Sequence, residues 1–137
     1  MVNFAAALPV VLGLAAVASA VPAIEARDLT CRDDLGAPSF GHADEAAACI
    51  NYLAGLGNQA CVSSISGVSF CRRGSTQITG LSKQGKNGAT SSCANVARAA
   101  GAIMDRCTRV AADGVKFVKG ANEAWGNGDL IVDIRKV

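Results

Sequence analysis

Hydrophobic positions follow two different periods along this chain. Between Asp44 and Leu56, the residues Ala46, Cys49, Tyr52, Leu53 and Leu56 recur at three- and four-residue steps, the spacing of one helical face. A helix is predicted there, with Cys49 and Tyr52 on its buried side. His42 or Asp44 is placed to cap it and Gly57 to end it. A second and clearer helix is predicted up to Cys107, capped by Thr90 or Ser91. Its residues Cys93, Val96, Ala97, Ala100, Ile103, Met104 and Cys107 fall within one arc of roughly 120° at the helical repeat. Both of its cysteines therefore point inward, one near each end, where they can tie the helix to a sheet or to the first helix.

The remaining segments read as strands. Val62–Ile65 and Val68–Arg72 flank Ser66-Gly67, the pattern of a hairpin. In a two-residue hairpin Val62 faces Cys71, so Cys61 and Cys71 take opposite faces and a bridge between them is disfavoured unless a bulge shifts the register. Gly74 marks another turn, Thr76–Leu81 another strand, and Gln84–Ala89 a polar loop. In the last nine residues Leu130, Val132 and Ile134 alternate with Ile131, Asp133 and Arg135, which predicts a closing strand with the first set inward. Val115–Val118 and Thr30–Arg32 are shorter strand candidates. The resulting expectation is an α+β domain: two helices packed on one face of a small, mostly antiparallel sheet, an α/β sandwich.

Before this domain, Phe4–Val17 is almost entirely Ala, Val and Leu and ends in Ala18-Ser19-Ala20. That is the h-region and small-x-small site of an export signal, residues 1–20. Residues 21–27, Val21 to Arg27, read as a propeptide or a tail, and 28–137 as a single secreted domain. The signal run is short for a membrane span and no Lys or Arg flanks it. With no second long apolar run, the mature protein is expected to be soluble and monomeric.

Composition adds one constraint. Phe40, Tyr52, Phe70, Phe117 and Trp125 are the aromatic residues after Arg27, while Ala and Gly abound. A core of small residues buries little area, so covalent staples carry weight. Cys31, Cys49, Cys61, Cys71, Cys93 and Cys107 are even in number and follow an export signal, which predicts three disulfides whose connectivity spacing cannot decide. Metal binding is disfavoured: the chain has no C-x-x-C and one histidine, His42. No cofactor is implied.

Charge is uneven. From Arg72 to Lys119 there are nine basic and two acidic residues; from Asp28 to Cys71 there are one basic and five acidic. Arg72, Arg73, Lys83, Lys86, Lys116 and Lys119 are the candidates for a basic interaction surface, toward an anionic membrane, a cell-wall polysaccharide or an acidic cell-surface component. The competing reading is an ordinary solvated surface. Nucleic-acid binding is not expected without a basic stripe interleaved with aromatics. Catalytic patterns are thin. His42 beside Asp44 and Glu45 is the one acid–base pairing available, the basis for a small secreted hydrolase as an alternative. No G-x-S-x-G, H-E-x-x-H or phosphate loop occurs, nor an N-x-S/T acceptor among residues 28–137.

Three stretches carry a resemblance. Phe70-Cys71-Arg72-Arg73-Gly74-Ser75, the Cys93–Cys107 helix, and Gly128-Asp129-Leu130-Ile131-Val132-Asp133-Ile134 together resemble the C-terminal half of fungal killer-toxin-like proteins and of the related necrosis-inducing secreted effectors. The resemblance covers Phe70–Val137. Smut-fungus killer toxins carry more cysteines, and their essential basic residue has no match here, so channel blockade is not carried over. What the resemblance implies is a disulfide-stapled, secreted fungal effector or toxin without enzymatic activity, acting on a host or competitor cell surface. A wall-associated protein of the producing fungus is the alternative; exposed Trp125 or Tyr52 would serve it for sugar stacking, and the helical spacing puts Tyr52 inside.

Overall fold

The computed structural model describes residues 29–32 and 40–137; the export signal expected at 1–20 and the spacer expected at 21–27 lie outside the described residues. In chain order the elements are β1 (Thr30–Cys31), β2 (Gly41–His42), α1 (Ala43–Gly55), β3 (Ala60–Val62), β4 (Val68–Arg73), β5 (Thr76–Ser82), β6 (Thr90–Ser92), α2 (Cys93–Cys107), β7 (Thr108–Val110), β8 (Lys116–Val118), β9 (Gly120–Ala124) and β10 (Asn127–Lys136). The main sheet has five strands in the order β1-β9-β10-β5-β4, every neighbouring pair antiparallel. Two smaller sheets accompany it, β2-β8-β7 and β3-β6. The helices pack against each other, α1 also on β4 and β5 and α2 on β9 and β10. The fold is thus α+β, two helices on one face of an antiparallel sheet, as the periodicities predict.

The two long patterns set this architecture. Leu130, Val132 and Ile134 of β10 are fully buried, and they share one core with Val96, Ala99, Ala100 and Ile103 of α2, a core with few large side chains. The cap of α2 is Ser92, whose hydroxyl accepts from the Asn95 N–H at 3.1 Å. Thr90 and Ser91, expected as caps, are instead paired in β6. At the other end α2 runs directly into β7, and Gly120 of β9 comes close beneath it. A Cβ on Gly120 would sit 2.9 Å from Cys107 Sγ and Ile103 Cγ2, tighter than any real contact, so only glycine lets helix and strand approach here.

The Ser66-Gly67 hairpin does not form. β3 ends at Val62 and pairs with β6, far along the chain, while residues 63–67 turn away and β4 pairs with β5. The true hairpin is β4–β5, around Gly74. β2, β6, β7 and β9 have no counterpart in the sequence reading. Tyr52 is also corrected: it is 46 % exposed. The buried arc of α1 is Ala43, Ala46, Cys49 and Leu53; at 100° per residue Tyr52 lies roughly 110° from the middle of Ala46 and Leu53, beyond the edge of the contact with the sheet.

All six cysteines are paired: Cys31–Cys107, Cys49–Cys71 and Cys61–Cys93. Each bridge joins a helix to a strand. Replacing the first two pairs one at a time by Ala tests what they hold. Their closed segments differ, with sequence separations of 76 and 22, so loop-closure entropy makes the Cys31–Cys107 loss the costlier by about 1 kcal/mol, on bridges contributing about 2–4 kcal/mol each. Denaturant midpoints of the two double variants check this; equal or reversed losses would show that native packing, not chain entropy, governs.

Candidate functional site

His42 stands at the N-cap of α1 and makes no side-chain capping bond. Its backbone N–H instead donates to Thr76 Oγ1 at 2.8 Å, and the Thr76 hydroxyl donates to Glu45 Oε1 at 2.8 Å. Glu45 is the third residue of the helix. In a capping box such a glutamate reaches the cap N–H itself; here a hydroxyl from β5 is inserted between the two. Ser75 adds its hydroxyl at 3.1 Å and its N–H at 3.3 Å to the same Glu45 oxygen. The Thr76 hydrogen bond, followed by those of Ser75, holds the Glu45 carboxyl below its ordinary value of 4.5, against desolvation that acts the other way. Gly74 completes the cradle: its φ is +59°, and a Cβ there would run into Glu45.

This network decides what the His42 region can do. Oε1 of the Glu45 carboxylate is taken up by Thr76 and Ser75. The His42 ring packs on Phe117 of β8, centroids 5.2 Å apart and planes tilted by 41°. Beside it opens a groove of about 680 Å³, lined by His42, Ala43, Asp44, Met104, Val115 and Lys116. Its walls come from α1, α2 and the β7–β8 hairpin. It combines an apolar floor with one acid, one base and an imidazole, a composition suited to holding a small amphipathic group.

The six basic candidates do not form one surface. Arg73 lies on the helix side, its guanidinium 5.0 Å from the Tyr52 ring centroid, a cation–π distance. Arg72 pairs with Gln77 on the opposite face of the sheet. Lys83 follows β5 at its other end, about 20 Å along the strand from Arg73, and is ion-paired with Glu123 at 2.9 Å. Lys86 is exposed in the polar loop and Lys116 belongs to the His42 groove. Lys119 is only 5 % exposed and drops out of any interaction surface: it enters β9 where the chain passes under α2. Trp125 is half-buried. The exposed Tyr52–Arg73 pair is the feature the sequence reading missed, because it put Tyr52 in the core.

Among the described residues no three His, Cys, Asp or Glu side chains are grouped to hold a metal ion, and no helix is long and apolar enough to cross a membrane. What the geometry defines is a small α+β domain stapled helix-to-strand by three disulfides. The chain belongs to the family described as a domain of unknown function, DUF8794, whose model matches residues 26–136. No curated protein matches the chain, and no solved structure does.

The Glu45 network has a pH signature. A carboxyl whose folded value is depressed adds stability that is fully present above its unfolded value and is lost as pH falls through the folded value. Glu45→Gln is therefore expected to be less stable than the parent at neutral pH, with the gap closing below about pH 4.5. Thermal melts of both proteins from pH 7 to pH 2.5 measure it; a gap that persists at the acid end would mean that Glu45 acts by shape and not by charge.

Proposed function

We propose that this protein is a small secreted effector or toxin-like protein of a fungus, acting without catalysis by binding a component of a host or competitor cell surface. The observation that carries this reading is the pairing of all six cysteines, each bridge joining a helix to a strand. Such bridges form and persist in oxidising compartments, and they agree with the export signal read at residues 1–20. Resemblance to killer-toxin-like and necrosis-inducing proteins supports the same reading. Three hydrogen bonds occupy Glu45 Oε1, so the hydrolase alternative rests on His42 and Asp44, which line one groove.

A second reading, a polysaccharide-binding protein of the producer's own wall, is favoured by one observation. Tyr52 is exposed and carries Arg73 against its ring, an amphipathic platform of the kind sugars stack on.

Mass spectrometry of unreduced protein from culture medium tests secretion and framework together. The expected result is a chain starting at Val21 or Asp28, six hydrogens lighter than the reduced form, as three bridges require. That material is then applied to competitor fungi and plant tissue. Injury that survives His42→Ala supports the effector reading. Retention in cells or free thiols would sink it. Sedimentation with insoluble chitin or glucan without any injury would favour the wall-protein reading.

A further inference from the structure

The β4–β5 hairpin end of the main sheet brings together basic residues that are far apart in the sequence. Across β4, β5 and β10 the last two registered rows are Arg72–Gln77–Arg135 and Arg73–Thr76–Lys136. Residues paired across an antiparallel sheet share a face. Arg73 and Lys136 therefore flank the buried Thr76 on the helix side, and Arg72 and Arg135 flank Gln77 on the outer side. Within each row the two basic residues stand about 10 Å apart, two strand spacings. All four are exposed. The Val137 N–H donates to Ser75 O at 2.8 Å, which holds the end of β10 beside the hairpin. Tyr52 of α1 adjoins this end through the Arg73 guanidinium, 5.0 Å from its ring centroid.

The acidic side chains at this end are engaged. Asp133 Oδ2 accepts from Arg135 Nη2 at 2.8 Å, and Glu45 Oε1 accepts from Thr76 and Ser75. Among the described residues Arg72, Arg73 and Lys136 form no ion pair. Arg73 has neutral partners, the Arg72 carbonyl oxygen at 3.0 Å and the Tyr52 ring. Cations clustered in two rows of one sheet raise the local positive potential and draw anions to it. Apart from Val137, which follows β10, the exposed aliphatic side chains of these strands are Val68 and Leu81. Both stand toward the opposite end of β4 and β5, about 17 Å along the strands from Arg73 and Thr76.

We propose that this basic end, with the Tyr52 ring beside it, binds an acidic polysaccharide of a cell surface, a polyuronate. One sugar lies against the exposed part of the Tyr52 ring while its carboxylate meets the Arg73 guanidinium. Further carboxylates along the polymer meet Lys136 and Arg72, and Gln77 bonds to hydroxyls. A guanidinium matches a carboxylate with two parallel N–H bonds, and tyrosine offers an apolar body with a polar tip. The charge pattern selects the ligand. A neutral glycan would leave the cations without counter-charge. An anionic membrane would meet the cations apart from the aliphatic groups that enter its interface. This rests on the reading of the protein as one that binds a cell-surface component, and it names the class of that component.

The test is an amide NMR titration of the purified, disulfide-bonded protein with an oligogalacturonate, with a chitin oligosaccharide as neutral control and polyglutamate as acidic peptide control. Oligogalacturonate is expected to shift the amides of Tyr52, Arg73, Gln77 and Lys136, with an affinity that falls as salt is raised. Arg73→Gln and Lys136→Gln should each weaken it about threefold to fivefold, the scale of an exposed ion pair. Lys86→Gln removes the same charge from the polar loop and should leave the affinity unchanged. Should Arg73→Gln disturb the fold, Arg72→Gln takes its place with the same expectation. Equal losses in Lys86→Gln and Lys136→Gln would mean attraction to net charge alone and overturn the site. Equal affinity for the chitin oligosaccharide or for polyglutamate overturns the polyuronate assignment. So does the absence of any shift with oligogalacturonate, including the case in which phosphatidylserine vesicles sediment the protein instead. Cell injury that persists without oligogalacturonate binding leaves the effector reading standing and removes this ligand alone; binding without injury supports the site and counts only against the effector reading.

Discussion

Helix α2 is fixed covalently at both ends, by Cys93 to β3 and by Cys107 to β1, and the rest of the molecule is arranged around that constraint. The strands it holds are two and three residues long. Neither could persist on its own hydrogen bonds, since isolated short pairings are marginal in water. β1 closes the edge of the main sheet beside β9, and β3 finds β6 only because Cys61 is held against the start of α2. The core these bridges enclose is built largely from Ala, Val and Ile. At about 25 cal/mol per Å² buried, small side chains leave a narrow margin over chain entropy, so the order imposed by the bridges is a condition of the fold.

The second helix in the assembly is fixed differently. α1 is bridged once, Cys49 to Cys71 of β4, and its first turn is held by the relay from Glu45 through Thr76 to the His42 N–H. Both ties run to the β4–β5 hairpin. The residues with the most obvious chemistry, six cysteines and the Glu45 carboxylate, are thereby used in architecture. The groups left facing solvent are those of the His42 groove and the Tyr52–Arg73 pair.

The parts of this structure legible in the sequence are those in which one segment carries its own long period. α2 and β10 bury the side chains that their periodicities predict, Met104 only in part, and α1 ends within a residue of its prediction. The β3–β6 pairing was not legible, because Val62 is exposed and the strand's partner lies about 30 residues away; no local pattern records such a contact. β9, Gly120 to Ala124, has no β-branched residue and forms because β10 and α2 impose it. The sides of α1 could not be ranked without knowing where the sheet sits, so Tyr52 was placed inside. Lys119 gave no sign of burial, since a lysine's stem can be covered whatever its charge. The relay around Glu45 had half a signal, a glutamate three residues after the cap position, but its middle member comes from another strand.

The alternation in β10 also carries more than the core. Its inward set, Leu130, Val132 and Ile134, explains the buried face completely. A solvated outer face requires only polar residues, and Asp133 and Arg135 comply while Ile131 does not. A cross-strand Ile131–Leu81 contact can be stabilising in itself, by about 0.2–1 kcal/mol, so the apolar pair taken alone has a structural explanation. That explanation does not extend to the adjoining row, where a carboxylate oxygen is buried without a donor on the same exposed face.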